Sequence, residues 1–323
     1  MSALVTIIGG AGFIGSHFTD FLLARPATKE VRIYDNFLSG QTWHYAHHKG
    51  DARLKVIRNN VKDLPALTEA VKGSDLVIHL ASNPDIAAAM GNPAIDWHDG
   101  TFLTFHVIEA MRLAGVPRIL YASGSGVYGD LGEREGNEDS GPLRPISTYG
   151  ASKLAGEAMI GSYCHMFGMS GCAFRFGNVV GPRQTHGVGY DFVRRLLKEP
   201  SHLRILGDGQ QSKSYIHVED VVQAVWTAHE KTKTPYEVYN VATGDYITVR
   251  EIADLACAAL GLSGKVAYEM SGGRGGWKGD VPVVRLNTDR IRTLGWQPQH
   301  TTRQALADSL AAMIEEVKAQ RAA

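Results

Sequence analysis

Val5-Thr6-Ile7-Ile8-Gly9-Gly10-Ala11-Gly12-Phe13-Ile14-Gly15 is the stretch on which the reading of this chain turns. Its first four residues are a short apolar, β-branched run, the pattern of a fully buried strand. The run breaks into glycines, and an amphipathic helical pattern follows with Phe18, Phe21 and Leu22 on one face. Gly10, Gly12 and Gly15 fit G-x-G-x-x-G, and Gly9, Gly12 and Gly15 fit the related G-x-x-G-x-x-G. Glycines so spaced make a tight turn, let a pyrophosphate approach the backbone, and let a helix pack closely on a strand. The helix start then presents free N–H groups and a positive dipole end to phosphate. By itself the stretch is an ordinary glycine-rich turn, but its surroundings say more. Val31-Arg32-Ile33-Tyr34 is a second buried strand, and it ends in Asp35, twenty residues after Gly15. A carboxylate there meets the ribose diol of an adenosine. Strand, glycines, helix, strand and acid in this order predict a dinucleotide site. Asp35 would accept hydrogen bonds from two ribose hydroxyls and repel a 2′-phosphate. No arginine occurs in the next residues, Asn36-Phe37-Leu38-Ser39-Gly40. The expected cofactor is therefore NAD rather than NADP. An acid that merely caps a strand-end turn is the alternative.

The chain has 323 residues and a formal net charge of zero. That length holds one large domain or two smaller ones. The charge balance gives no reason to expect nucleic acid or an anionic membrane as a partner. Cys164, Cys172 and Cys257 show no paired metal spacing and read as buried small residues in a reducing compartment. The first residues carry neither a basic region nor a cleavage site, and no apolar run reaches about 18 residues. The expectation is a cytoplasmic protein with no membrane partner.

Further strands are expected at 54–57, 76–80, 118–122 and 171–176, alternating with helices near 64–72, 95–113 and 147–167. Such βαβ repetition requires a parallel sheet with helices on both faces, and ligands bind at the carboxyl ends of its strands. The places to search are the residues just after Leu80, Ala122 and Phe176. Beyond Gly177 the rhythm is irregular, with helices expected near 188–197, 218–228, 249–260 and 302–319 and a strand at 237–241. The glycine-rich segment 271–280 reads as a flexible or ligand-ordered loop. The expected fold class is α/β, a Rossmann-like doubly wound parallel sheet with a smaller, interwoven C-terminal substrate domain. Residues 1–178, with returning segments at about 214–242, would form the NAD-binding domain. About 179–213 and 243–323 would bind substrate.

After the fifth strand comes Ser123-Gly124-Ser125-Gly126-Val127-Tyr128-Gly129, and later Ser147-Thr148-Tyr149-Gly150-Ala151-Ser152-Lys153. Tyr149 and Lys153 are i and i+4 on a helix and share a face. A free tyrosine, with a pKa near 10, is a poor base at neutral pH. A nearby lysine cation favours the phenolate, which makes the pair a credible acid/base for an alcohol. Most Tyr-x-x-x-Lys pairs are surface neighbours; this one gains weight from lying downstream of a dinucleotide motif.

Together these pieces resemble the extended short-chain dehydrogenase/reductase family, specifically its nucleotide-sugar epimerases and dehydratases. The matching residues are 9–15, Asp35-Asn36, His79-Leu80-Ala81, Gly100-Thr101, Val127-Tyr128-Gly129, Tyr149 with Lys153, 175–183, and 215–220. The resemblance implies that Gly9, Gly12 and Gly15 shape the cofactor turn, and that Phe13 and Ile14 offer N–H groups to the pyrophosphate. Asp35 would meet the adenosine ribose, and Asn36, Ser39 and Gly40 would also bind the cofactor. Asn60 and Val61 would flank the adenine, with Asn60 standing where the family usually has Asp. Leu80, Ala81 and Ser82 would line the NAD ribose and phosphate, and Lys153 would also bond the nicotinamide ribose. Asn178 and Lys213 would face the substrate diphosphate, Lys213 standing where an arginine is usual. Arg183 and His186 are further substrate candidates. Arg274 and Lys278 are either phosphate ligands or residues of a solvated loop.

One departure stands out. The family places Ser or Thr where this chain has Gly124, to hydrogen-bond the reacting hydroxyl. Ser125 and Ser123 flank it as possible replacements, although both would point the other way in a regular strand. Dehydratase relatives carry acids at the positions of Ser125 and Gly126, and decarboxylases carry Glu at the latter. The expected function is thus NAD-dependent epimerisation of a nucleotide sugar, at C4 of a UDP-sugar through a transient keto intermediate. A dehydratase or decarboxylase is the alternative, and so is an NAD-binding protein impaired by Gly124. The family also implies a homodimer through helices 95–113 and 147–167. No metal is expected. His44, His47 and His48 read as a surface loop rather than a metal site, since no acid or Cys cluster accompanies them in sequence, and His217 reads as structural.

Overall fold

Val5, Ile7 and Ile8 are completely buried in β1 (Ala3–Ile8), as a strand covered on both faces must be. In the computed structural model, which describes residues 3–322, the glycine turn leads into α1 (Phe13–Leu23). Then follow β2 (Thr28–Asp35), β3 (Leu54–Arg58), α2 (Leu64–Val71) and β4 (Leu76–His79). The helix expected at 95–113 is interrupted. A single turn, α3 (Ala94–Asp96), passes through a π-helical turn at Trp97–Thr101 into α4 (Phe102–Ala114). Next come β5 (Arg118–Gly124), α5 (Thr148–Phe167) and β6 (Ser170–Phe176). The remaining elements are β7 (Asn178–Val180), α6 (Val188–Lys198), β8 (His202–Ile205), β9 (Ser212–Lys213) and β10 (Tyr215–His217). After them come α7 (Val218–Lys231), β11 (Tyr236–Val241), β12 (Ile247–Thr248), α8 (Val249–Ala259), β13 (Ala267–Met270), α9 (Asp289–Arg292) and α10 (Thr302–Ala322).

Seven strands form one sheet in the order β11-β6-β5-β4-β1-β2-β3. The pairs β1–β2, β1–β4, β2–β3 and β4–β5 are parallel, which gives the expected doubly wound, Rossmann-like sheet. The chain reverses direction across the sheet between β1 and β4, so the glycine turn opens at the switch point where such folds bind ligands. Leu67, Val107, Ile108, Met111, Tyr121 and Ile160 pack a helical layer against one face. Ser147 caps α5 by accepting a hydrogen bond from Gly150 N–H (3.0 Å), and Gly168 ends it in a left-handed conformation.

Two compact units result. The first contains the chain up to Val127 with Ser147–Arg175 and Val225–Tyr239; the second contains Tyr128–Ile146, Phe176–Ala224 and the chain from Asn240. The chain crosses between units more often than the sequence suggests. Residues 128–146 and 214–224, assigned above to the dinucleotide half, pack in the second unit. Long-range hydrogen bonds explain it: Tyr128 hydroxyl donates to Asn240 Oδ1 (2.8 Å), Gly136 N–H donates to the Arg285 carbonyl (2.9 Å), and β10 pairs with β7. The core of this unit gathers Phe192, Val193, Leu196, Leu203, Ile252 and Leu306. Thr248 and Glu251 form a reciprocal capping box at the start of α8.

The turn itself depends on a missing side chain. A Cβ on Gly15 would lie 2.6 Å from both Gly10 Cα and Gly9 O, which are backbone atoms that cannot rotate away. We predict that Gly15→Ala costs about 1–3 kcal/mol of stability, the usual penalty of overpacking, measured by denaturant unfolding. A cost below about 0.5 kcal/mol would show that the turn tolerates separation of strand and helix.

Candidate active site

Three strand ends, those of β1, β4 and β5, lie side by side in the sheet and carry the polar groups that the sequence singles out. At β1, Gly12 caps α1 without any side-chain hydrogen bond, so no side chain consumes the N–H groups that begin the helix. Asp35, at the end of β2, is 8% exposed. It accepts Ala11 N–H on Oδ2 (3.0 Å) and Phe37 N–H on Oδ1 (2.8 Å). Burial pushes its carboxyl above the ordinary range, and those two N–H groups and Arg58 pull it back. The strand-end acid therefore does tie a turn, and it retains lone pairs for further donors.

The backbone closes around this point. A Cβ on Gly40 would lie 2.9 Å from Asp35 Oδ1, and one on Gly9 would lie 2.8 Å from Ala81 N. Gln41 N–H bonds the Ala11 carbonyl (2.9 Å), which draws the loop of Asn36 and Ser39 over the turn. Tyr34 hydroxyl donates to the Asn60 carbonyl (3.0 Å), which places Asn60 beside buried Val61. This cradle fits a dinucleotide: an uncapped helix start for the pyrophosphate, a carboxylate for the ribose, and side-chain-free walls. Leu80 and Ala81 give their N–H groups to the Ile8 carbonyl (2.9 and 3.0 Å), so they can only line the site, without donating. His44, expected at the surface, is completely buried and bonds the Ala11 carbonyl through Nδ1 (2.8 Å). Its ring packs beneath the turn, a position that a polar local sequence does not reveal.

Tyr149 and Lys153 share a face of α5 as expected. Lys153 is 4% exposed, and its Nζ donates to the Ala122 carbonyl (2.8 Å) near the end of β5. The same Nζ lies 5.4 Å from the centre of the Tyr149 ring. Their titration runs against the simple expectation. Burial pushes the Tyr149 phenol up to about 12, with the Asp96 charge adding to the rise and Ser82 opposing it. Burial likewise pulls the Lys153 ammonium down to about 8, with Asp96 and Glu157 opposing. Desolvation outweighs the mutual help of the pair in the protein alone.

Several residues here carry no signal in the local sequence. Asp96, 1% exposed, accepts Asn83 Nδ2 (2.9 Å) and Thr148 Oγ1 (2.6 Å). One carboxylate thus ties the segment after β4 to the first turn of α5, and so sets Ser82 and Tyr149 near each other. The Ser82 hydroxyl oxygen is buried without a hydrogen-bond partner of good geometry. Beneath them, Glu157 and Arg175 form a buried ion pair (2.7 Å). Ser123 is buried and donates its hydroxyl to Glu157 Oε1 (2.5 Å), so the sequence's second candidate for the missing hydroxyl is committed to the buried ion pair. Gly124 has nothing within 4 Å of the place a Cβ would occupy. Ser125 opens a 3₁₀ turn just beyond it.

The substrate candidates lie in the second unit. Asn178 begins β7 with an exposed side chain, its N–H bonded to the Ser214 carbonyl (3.0 Å). Arg183 adopts a left-handed φ of 68° and gives its N–H to Glu316 Oε1 (2.8 Å). His186 and Arg274 are exposed. Lys213 is not a bare cation: its Nζ bonds Asp280 Oδ1 (2.6 Å), and Asp280 Oδ2 accepts Gly276 N–H (2.9 Å). That pairing anchors the end of the glycine-rich segment 271–280. His217 is buried and stacks on His300 with ring centres 4.3 Å apart.

Comparison with known proteins gives a consistent picture. The model of the NAD dependent epimerase/dehydratase family matches residues 5–242. A UDP-glucose 4-epimerase of Mycolicibacterium smegmatis is 31% identical over 98% of both chains. A crystal structure of a UDP-galactose 4-epimerase is 33% identical, with a TM-score of 0.84 over 97% of this chain and 99% of its own. A double mutant of the dTDP-glucose 4,6-dehydratase of Streptomyces venezuelae, solved with NAD bound, is 27% identical with a TM-score of 0.88 over 98% of each chain.

The depressed Lys153 makes a testable statement about stability. The folded protein binds this proton less tightly than the unfolded chain, so between about pH 8 and the usual 10.5 the unfolded state carries more protons. Stability then rises with pH across that window, and the penalty is fully present below it. A Lys153→Met variant lacks the effect. The stability of the parent relative to that variant should therefore increase from pH 8 to 10.5 in denaturant unfolding; a flat difference would contradict the buried, weakened ammonium.

Proposed function

We propose that this chain, which belongs to the NAD dependent epimerase/dehydratase family, is an NAD-dependent epimerase that inverts C4 of a UDP-sugar. The observation that carries this reading is the pairing of half-buried Tyr149 with buried Lys153 on one face of α5, beside the strand ends that adjoin the dinucleotide cradle. The named epimerases among its relatives add support. In this reading Asp35 holds the adenosine ribose, the start of α1 at Phe13 and Ile14 takes the pyrophosphate, and Tyr149 removes the proton from the C4 hydroxyl. Lys153, anchored on the Ala122 carbonyl, keeps a positive charge beside the forming phenolate and holds the cofactor ribose. NAD held in that cradle would supply the hydride acceptor for oxidation at C4 and the hydride donor for its reversal. Asn178, Arg183, His186, Lys213 and Arg274 are the proposed substrate contacts, with Lys213 leaving Asp280 to meet the diphosphate.

The reacting oxygen needs a second polar group besides Tyr149. Ser123 is committed to Glu157, which leaves Ser125 and Ser82. The space at Gly124 and its ordinary φ leave room for the serine that the resemblance expects. Neither Ser125 nor Gly126 supplies the acid that the resemblance associates with elimination, which favours epimerisation over dehydration.

The proposed assembly is a homodimer. Phe102, Phe105 and Leu113 on α4 and Met166 and Phe167 on α5 are exposed large apolar side chains, and a second copy of these helices would cover them. Light scattering at micromolar concentration should give twice the chain mass. The proposed compartment is the cytoplasm: all three cysteines are buried and unpaired. Among the described residues no helix is long and apolar enough to cross a membrane.

The function is tested by incubating the protein with UDP-, GDP-, dTDP- and CDP-sugars and reading products by NMR. Interconversion of UDP-glucose and UDP-galactose is expected. A product that has lost water would establish the dehydratase, and no turnover on any sugar would favour an NAD-loaded binding protein. Tyr149→Phe should lower turnover by at least about 10²–10⁴-fold, the range for losing a general base, with NAD still bound. Turnover within about threefold of the parent would remove Tyr149 from that role. Ser82→Ala and Ser125→Ala apportion the second polar contact. At least one should cost about tenfold or more, since a missing donor at such a site is worth roughly 2.7–4 kcal/mol. If both are silent, no side chain of this pair makes the contact.

A further inference from the structure

Asp20 on α1 and the adjacent His47 and His48, in the 3₁₀ turn that follows the Asp35 loop, form a cluster with no part in the reaction above. Nε2 of His47 lies 2.8 Å and Nε2 of His48 lies 2.7 Å from the same oxygen, Asp20 Oδ1. The ring centres are 4.2 Å apart and the planes are inclined by 43°. Two neighbouring imidazoles aimed at one oxygen exceed what a surface hydrogen bond requires, and exposed ion pairs of this kind contribute little to stability. We propose that Asp20, His47 and His48 form a binding site for one first-row divalent cation, with zinc the ion that its donors suit best.

Two imidazole nitrogens and a carboxylate oxygen make the donor set of an open zinc site, with solvent in the fourth position. Tetrahedral zinc with bonds of about 2.0–2.2 Å holds its ligand atoms about 3.3 Å apart. The two nitrogens, at 2.8 and 2.7 Å from Asp20 Oδ1, must each draw back from it by roughly half an ångström to admit the ion. Their side chains can do so, being 34%, 51% and 20% exposed for Asp20, His47 and His48. Among the described residues, the other group at ligand distance is His217, His300 and Asp308. It differs in kind. Its His300 Nδ1 is already held at 2.9 Å by Asp220, a buried carboxylate outside the group.

The position of the first cluster gives the ion a purpose. α1 starts at the glycine turn, and the segment that ends in His47 and His48 begins with the loop closed over Asp35. A cation between them fastens that loop to α1 and leaves Tyr149 and Lys153 untouched.

The test is titration of metal-stripped full-length protein with ZnCl2, followed by calorimetry and thermal melting, with MgCl2 as control. One saturable equivalent of zinc and a raised Tm are expected, with no response to magnesium. Loss of an outer partner of a metal ligand already costs 10–100-fold in affinity. Asp20→Asn, His47→Gln and His48→Gln should therefore each weaken zinc binding by at least about tenfold, while His300→Gln leaves it within about twofold. Circular dichroism of each variant establishes that it is folded, and the two histidine variants, at an exposed and a half-buried position, carry the test if Asp20→Asn is not. Absence of saturable binding, equal affinity in the folded variants, or loss of binding only in His300→Gln would overturn the proposal.

Discussion

The first unit depends on one close approach. Gly15 rests against the backbone of Gly9 and Gly10, so α1 begins almost on top of the end of β1. Only from there can its first N–H groups face a ligand at the switch point of the sheet. The same contact brings Ala11 N–H to the Asp35 carboxylate, which links the turn to β2. That bond and the loop hydrogen bond from Gln41 to Ala11 turn two strand ends and a helix start into one cradle. A side chain at Gly15 would separate them, and no hydrogen bond in the cradle could compensate.

The chemistry rests on a different balance, between burial and charge. Lys153 is buried and Tyr149 half-buried beside it, and desolvation weakens both ionised forms. The buried charges nearby are not neutral bystanders. Asp96 raises both groups, helping the ammonium and hindering the phenolate, and Glu157 also favours the ammonium while bound to Arg175. A lysine that remains charged at neutral pH beside a phenol is the outcome. Asp96 is placed for this by its two hydrogen bonds, and it stands at the point where the helix slips into its π turn. π turns recur at functional sites for this reason, since they re-aim a side chain without ending the helix.

Local patterns revealed the sheet, the helix order, the glycine turn, Asp35, and the Tyr149–Lys153 spacing, because each is set by residues close in sequence. Ser123, which the sequence offers as a replacement for the missing hydroxyl, is engaged instead by Glu157 on α5, a partner 34 residues away. What the sequence withheld depends on partners far apart in the chain. Asp96 meets Asn83 across 13 residues and Thr148 across 52. Lys213 meets Asp280 across 67. The segment 128–146 joins the second unit through Asn240 and Arg285. His44 looks like part of a polar surface loop, yet it is buried under the turn. The convergence of His47 and His48 needed Asp20, which lies on a helix 27 residues earlier.

The central claim is that the glycine turn and Asp35 together form an NAD site, from which the rest of the function follows. Titrating cofactor-free protein with NAD and with NADP tests it directly. The account predicts that NAD binds at least about tenfold more tightly, because a carboxylate that bonds the ribose diol repels a 2′-phosphate. Equal affinity for the two cofactors, or a preference for NADP, would contradict it.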